Sequence, residues 1–293
     1  MDKKISVIIV THNSENDIYD CLHSLFSNND IGTELEVIIV DNQSEHVDKM
    51  FEMIKNRFND RVILIKNRTN GGYGQGNNVG INNSSAPIFM IMNPDVRLTA
   101  PVFCSALNAY KDESLAILGL KQLISESSRG ISFDIDLEKN IFFQMILRRI
   151  ANKLDLYNQD YMFFSGACFF MRKSSFESIG MFDENIFMYG EEFDIFCRMK
   201  KYLPNAINKY NKRLSYIHLI DQRKETLTRL ENMNKSLLYV FSKNDLDPKG
   251  FVRRLRFHTY IRIIVNILKR DTYYVNLYKE WYSRLNNNIE WLI

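Results

Sequence analysis

Four cysteines, five prolines and no long apolar run are what this 293-residue chain offers to anyone looking for a secreted, zinc-bound or membrane-spanning protein. Cys21, Cys104, Cys168 and Cys197 lie far apart and form no CxxC pair. That excludes a zinc ribbon, a thioredoxin-type motif and a disulfide framework, and it points to a reducing cytoplasm as the expected compartment. The apolar stretches Ser6 to Val10 and Ile88 to Met92 fall far short of the roughly 18 residues a bilayer span needs. The start, MDKKISVIIV, is basic, but its apolar run ends at Thr11-His12-Asn13 with no small-residue cleavage site, so it reads as a first strand. Excess charge is lacking too. With 38 Lys+Arg against 35 Asp+Glu, a net charge of +3 gives no reason to expect nucleic acid as a partner. What remains is 45% hydrophobic and 25% charged, an ordinary globular composition that fits one α/β core with an appendage.

The first hundred residues alternate strand and helix signals, the pattern of a parallel sheet flanked by helices. Apolar runs at Ile5 to Val10, Leu35 to Val40, Val62 to Ile65 and Ile88 to Met92 read as strands. Between them Ile18, Cys21, Leu22, Leu25 and Phe26, then Val47, Met50, Phe51, Ile54 and Phe58, recur at helical spacing. A helix is expected from about Glu191 to Tyr202 and a strand over Leu214 to Leu219. Helices dominate from Glu225 onward, and residues 122 to 160 resist assignment. The reading divides the chain into a catalytic domain, 1–222, and a helical C-terminal region, 223–293.

In open α/β sheets the ligand sits beyond the carboxyl ends of the strands. There the chain is polar: Thr11-His12-Asn13, Asp41-Asn42-Gln43-Ser44 and Asn93-Pro94-Asp95. Asp41 is placed to accept hydrogen bonds from a base or ribose, with capping alongside Ser44 as the plainer role. Asp95 is suited to a divalent cation that also holds a diphosphate; a turn carboxylate is its plainer role. Asn70 to Asn78 is rich in glycine but matches neither GxGxxG nor GxxxxGK[ST]. It reads as backbone that can approach a ligand closely, or as a turn before a helix. From Phe182 to Asp194 acids crowd among aromatics. Glu191 and Glu192 open a helix, where carboxylates are favoured anyway, and either could act as a general base. His218 is a metal or diphosphate contact or a packing histidine.

Taken in order, these segments resemble the inverting glycosyltransferases of glycosyltransferase family 2, and within them the rhamnosyltransferase-like branch. The resemblance spans about residues 5 to 220. It rests on Ser6 to Asn13, Val40-Asp41-Asn42-Gln43-Ser44, Asn70 to Asn78, Asn93-Pro94-Asp95, Gly166-Ala167 and Phe182 to Glu192. It implies a GT-A fold, a nucleoside-diphosphate donor (dTDP- or UDP-linked) and a magnesium or manganese ion. By the same resemblance Thr11, Asn13, Asp41 and Asn42 hold the nucleotide, Gly72, Gly74, Asn77 and Asn78 close around ribose and sugar, and Asn93 is a further donor-binding residue. Asp95 and His218 bind the metal, Gly166, Ala167 and Tyr189 face the acceptor, and Glu192 is the base with Glu191 competing. Two positions depart from the family pattern: Asn93 stands where the metal motif has Asp, and Glu192 where the catalytic residue is Asp. A nucleotidyltransferase would carry a Lys- or Arg-bearing loop after the first strand, which Thr11-His12-Asn13 is not. A non-catalytic sugar-nucleotide-binding protein would have no need of Asp95, Glu191 and Glu192.

The acceptor the resemblance suggests is a glycan or a lipid-linked sugar. Between Lys249 and Arg270 five basic residues, Arg253, Arg254, Arg256, Arg262 and Lys269, alternate with Leu255, Phe257, Ile261, Ile264, Val265 and Leu268, without one acid. Such a helix fits the inner face of a plasma membrane as a peripheral contact, and equally the catalytic domain or a second subunit in a homodimer.

Overall fold

Strand one alternates its side chains between two apolar layers, which is why its sequence is apolar throughout. Ile5, Val7 and Ile9 pack into one layer and Ile8 into the other. The structure is a computed structural model describing residues 2–138, 144–219 and 224–287. Its first part runs β1 (Ile5–Thr11), α1 (Ile18–Ser27), β2 (Leu35–Asp41), α2 (Val47–Phe58), β3 (Ile63–Lys66), α3 (Gly72–Asn82) and β4 (Ile88–Met92). The apolar positions of α1 and α2 face the sheet: Cys21, Leu22 and Leu25 from one, Met50, Phe51 and Ile54 from the other, all buried. Four parallel strands in the order β3-β2-β1-β4 bring the ends of β1, β2 and β4 to one edge.

Beyond β4 the chain continues as β5 (Val96–Leu98), α4 (Phe103–Ala109), β6 (Leu115–Ser125), β7 (Ser128–Arg129), β8 (Phe133–Ile135), α5 (Gln144–Leu154), β9 (Met162–Phe164), β10 (Cys168–Arg172), α6 (Lys173–Ser178), α7 (Glu191–Tyr202) and β11 (Ile207–His218). Here the sheet turns mixed. Its order extends β4-β10-β6-β11-β5, with β10 antiparallel to both neighbours and β5 antiparallel to β11. β8 and β9 pair as a separate ribbon over this half. The strand expected at 214–219 is the end of the longer β11, whose register against β6 shifts between Asn211 and Ser215.

Three helices, α8 (Leu227–Lys243), α9 (Pro248–Leu268) and α10 (Thr272–Asn287), complete the chain. They are not a detached appendage. Leu230, Leu238, Phe241, Phe251 and Trp281 form a third core with Ile186, Phe193 and Phe196 of the catalytic part. Asp194, wholly buried on α7, ties the two together through Arg198 (2.7 Å), Lys243 (3.0 Å) and Asn244 (3.0 Å). The division at 222/223 lies outside the described residues.

Candidate active site

The rim after β1 and β2 is a closed hydrogen-bond knot. Asp41 is 1% exposed; its Oδ2 accepts from the Thr11 and Ser44 hydroxyls, and its Oδ1 from the Ser44 amide at 2.8 Å. Asn13, at the exposed rim in a left-handed conformation (φ 52°), accepts from the Glu45 amide through its Oδ1. Asn42 is buried, donating to Gly72 O (2.9 Å) and accepting from Asn67 (2.9 Å). Thr11, Asp41 and Asn42 therefore shape the rim with polar atoms already committed to the protein.

The glycine-rich stretch is not a loop. Gly72, Gly74, Asn77 and Asn78 lie in α3 and are buried, so the segment expected as a loop is the first two turns of a helix. Its glycines serve packing: a Cβ on Gly76 would come within 2.7 Å of Val10 Cγ1. Asn78 donates to Phe182 O and Glu184 and accepts from the Phe182 amide, which pins the acidic segment to α3. Asn77 donates to Tyr73 O, and its Oδ1 is buried without a partner.

Asp95 and His218, distant in sequence, meet because β5 pairs with β11, Val96 opposite His218. His218 Nε2 lies 3.3 Å from Asp95 Oδ2, and Asp95 Oδ1 and His218 Nδ1 are each buried with no hydrogen-bond partner. Unspent, buried ligand atoms on a carboxylate and an imidazole are what a cation-binding pair requires. Among the described residues no cluster of three His, Cys, Asp or Glu forms. A cation here would take two protein ligands and complete its shell with phosphate and water, a mode suited to magnesium or manganese.

A cavity of about 470 Å³ gathers Asn93, Gly166, Ala167, Tyr189, Glu191, Glu192 and His218. Asn93 is held there by its amide donating to Ala167 O (2.9 Å), and Tyr189 by the Arg229 guanidinium 5.6 Å from its ring centre. Glu192 reaches across the face of Gly166, where a Cβ would fall 2.0 Å from its Oε1; only glycine leaves that space. Burial drives both acids toward the protonated form. Glu191, 2% exposed and with an unpartnered Oε1, is pushed up to about 8 by desolvation and then by the charge of Glu192. Glu192 is raised by desolvation, with Asp134 adding to it. Two residues of this cavity escaped sequence reasoning. Tyr73 donates to Gly166 O at 2.6 Å, and Asp134 sits on β8 within the stretch that resisted assignment. The alternation Phe133-Asp134-Ile135 was the available signal.

A doubly layered α/β domain with a carboxylate–histidine pair at a strand end and two glutamates across the cleft has the build of a nucleotide-sugar transferase. Residues 6–180 match the profile of glycosyl transferase family 2, and the chain belongs to that family. It is 26% identical over 203 residues to the low-salt glycan biosynthesis hexosyltransferase Agl10 of Haloferax volcanii, covering 67% of this chain and 62% of that protein. It thus spans about three-fifths of that relative's length. Two solved structures share its GT-A fold. The mannosyltransferase PcManGT of Pyrobaculum calidifontis, in complex with GDP-Man and Mn2+, superposes with a TM-score of 0.60 at 13% identity, over 83% of this chain and 64% of that one. S. aureus TarS 1–349 in complex with UDP does so with 0.54 at 19% identity, over 85% and 68%. These relatives do not single out the rhamnosyl branch.

Proposed function

We propose that this protein is an inverting glycosyltransferase that moves a hexosyl unit from a nucleoside-diphosphate sugar to a hydroxyl of a glycan or lipid-linked acceptor in surface-polysaccharide synthesis. The observation that carries the reading is that one cavity brings His218, the partner of Asp95, together with Glu191 and Glu192. The donor's base and ribose would lie along the rim built by Thr11, Asn13, Asp41 and Asn42, and its diphosphate against Asp95 and His218. A divalent cation, when bound there, would offset the negative charge that grows on the leaving diphosphate.

On the far side the two glutamates divide the work. Glu191, held near pH 8, keeps its proton at neutral pH and so spares Glu192 a second adjacent charge. Glu192 is the proposed base: in its ionised form it takes the proton of the acceptor hydroxyl as that oxygen attacks the anomeric carbon opposite the diphosphate. Attack from the face away from the leaving group inverts the configuration. Tyr73, by holding Gly166 O, fixes the surface on which the Glu192 carboxylate rests.

The test is nucleoside-diphosphate release from a panel of UDP-, dTDP- and GDP-sugars, dTDP-rhamnose included, on wild type and Glu192→Gln. One donor turned over by wild type and not by the variant supports the reading; equal turnover in both removes Glu192 from the role.

A further inference from the structure

The reaction cavity does not end at the glutamates. Asp134, Leu137, Phe163, Met233 and Leu237 line it on one side and, on the other, line a second cavity of about 320 Å³ between α5, α8 and α9. The walls of this second space are of two kinds. Leu230, Leu255 and Phe251 make part of it apolar, while Arg148, Arg254 and His258 bring nitrogen-bearing side chains to the same space. Two of its guanidiniums are neutralised within the protein: Arg148 pairs with Asp134 at 2.7 Å and Arg262 with Glu225 at 3.4 Å. Arg254 has no carboxylate within ion-pair distance among the described residues; it donates to Leu137 O at 3.1 Å. Arg148 Nε is buried without a hydrogen-bond partner. Desolvation, and then the charges of Arg262 and Arg254, lower the pKa of His258. A half-buried arginine that makes no ion pair, although Asp247, Glu138 and Asp136 are near enough to act on it, stands beside an unspent guanidinium nitrogen and a histidine, a set that can seat phosphate oxygens.

The helices at the mouth add a second observation. On α5, Ile146, Leu147, Ile150 and Leu154 are 43–57% exposed, while small or polar Ala151 and Asn152 face the body; the helix carries Arg148, Arg149 and Lys153 and no acid. On α9, Tyr260, Ile261, Ile264, Val265 and Leu268 form an exposed stripe at helical spacing. Two acid-free helices with apolar residues turned outward flank a cavity with cations and leucines inside. An amphiphile with an anionic head satisfies all of these surfaces at once, and a free polysaccharide satisfies none of the outward ones.

We propose that the cavity between α5, α8 and α9 is the acceptor subsite, seating the phosphate groups and first apolar units of a lipid-linked acceptor whose sugar reaches through Leu137 and Met233 to the glutamates. This rests on the reading that Glu191 and Glu192 mark the acceptor side. Arg254 and His258 bind the phosphate oxygens, Leu230, Phe251 and Leu255 cover the first apolar units of the chain, and the rest of the lipid leaves between α5 and α9. The sugar acted on is then one close to the phosphate, since the two cavities adjoin.

The probe is farnesyl diphosphate, with farnesol and inorganic pyrophosphate as its two halves, titrated against the full-length protein while following Trp281, which lines the cavity. Saturable binding of farnesyl diphosphate at least tenfold tighter than either half is expected. It should weaken about tenfold in Arg254→Gln and severalfold in His258→Ala, and stay unchanged in Arg253→Gln, whose side chain is 76% exposed. Circular dichroism establishes that each variant is folded, and either cavity variant suffices if the other is not. Pyrophosphate binding as tightly as farnesyl diphosphate, or affinity unmoved in a folded cavity variant, overturns the proposal. A wild type that binds a nucleotide sugar but not farnesyl diphosphate defeats this proposal alone. One that binds no nucleotide sugar defeats the reading beneath it.

Discussion

The two walls of the cleft treat their polar groups in opposite ways. On the wall built by β1 and β2, Thr11, Asp41 and Ser44 satisfy one another, Asn42 is engaged by Gly72 O and Asn67, and Asp41 has both carboxylate oxygens engaged inside the protein. Away from that rim lies the wall of the reaction cavity, where Asp95 and His218 at one strand end and Glu191 at the start of α7 each carry a buried polar atom with no partner. Leaving such atoms unpaired costs on the order of 1–3 kcal/mol each, so this wall is kept at a cost that a ligand would repay. The first wall is finished as folded; the second is completed by what binds. Mutation should therefore damage stability on the first and chemistry on the second.

The sharpest break between the walls is expected at Glu192. Glu192→Gln should lower kcat by about 10²–10⁴-fold, the usual worth of a positioned base, with an unfolding midpoint close to wild type. Stopped nucleoside-diphosphate release and a denaturant melt measure the two sides. Asp95→Ala should cost on the order of 10²-fold in manganese-stimulated turnover by removing an electrostatic anchor for the leaving group. A metal titration of activity reads it.

Glu191 sharpens the comparison through pH. Its folded-state value is raised to about 8 from an ordinary 4.5, so its stabilising contribution is fully present below 4.5 and is lost as pH rises through 8. Replacing it by Gln should remove that decline, which is at most roughly 1.4 kcal/mol for each pH unit separating the two values. The variant's melting temperature should then fall less than wild type between pH 5 and about 8.5. On the opposite wall Thr11→Val strips a buried donor from Asp41. Unfolding free energy should drop by about 1–3 kcal/mol while kcat of the folded fraction changes little. The smallest effect is expected outside the cleft. The pair Ile150→Glu and Ile261→Glu should reduce co-sedimentation with phosphatidylglycerol-containing vesicles severalfold, leaving turnover on a water-soluble acceptor unaltered.

The same contrast explains what could be read from the amino-acid sequence. The parallel half was legible because both faces of β1, β2 and β4 are buried, giving nearly unbroken apolar runs followed by abrupt polar ends. The position of Glu191 and Glu192 at a helix start was equally plain. The stretch 70–78 was legible only as two alternatives, a ligand-approaching loop or a turn before a helix; the helix α3 is what forms, with its glycines packed on β1 and Asn78 tethered to the acidic segment. Asp134 was missed because its signal, the alternation of a three-residue strand, is too short to stand out in a stretch without long periodicity. The basic run on α9 was visible, but only packing reveals that Arg254 lines a cavity, that Arg256 caps α10 at Leu285 O, and that Arg262 pairs with Glu225.

The claim most exposed to refutation is that Asp95, with His218, holds a donor diphosphate through a divalent ion. Isothermal titration of nucleotide sugars into wild type and Asp95→Ala, with and without manganese, tests it directly. The account predicts that one nucleotide sugar binds wild type only with the metal and does not bind the variant. Equal, metal-independent binding to both proteins would contradict it.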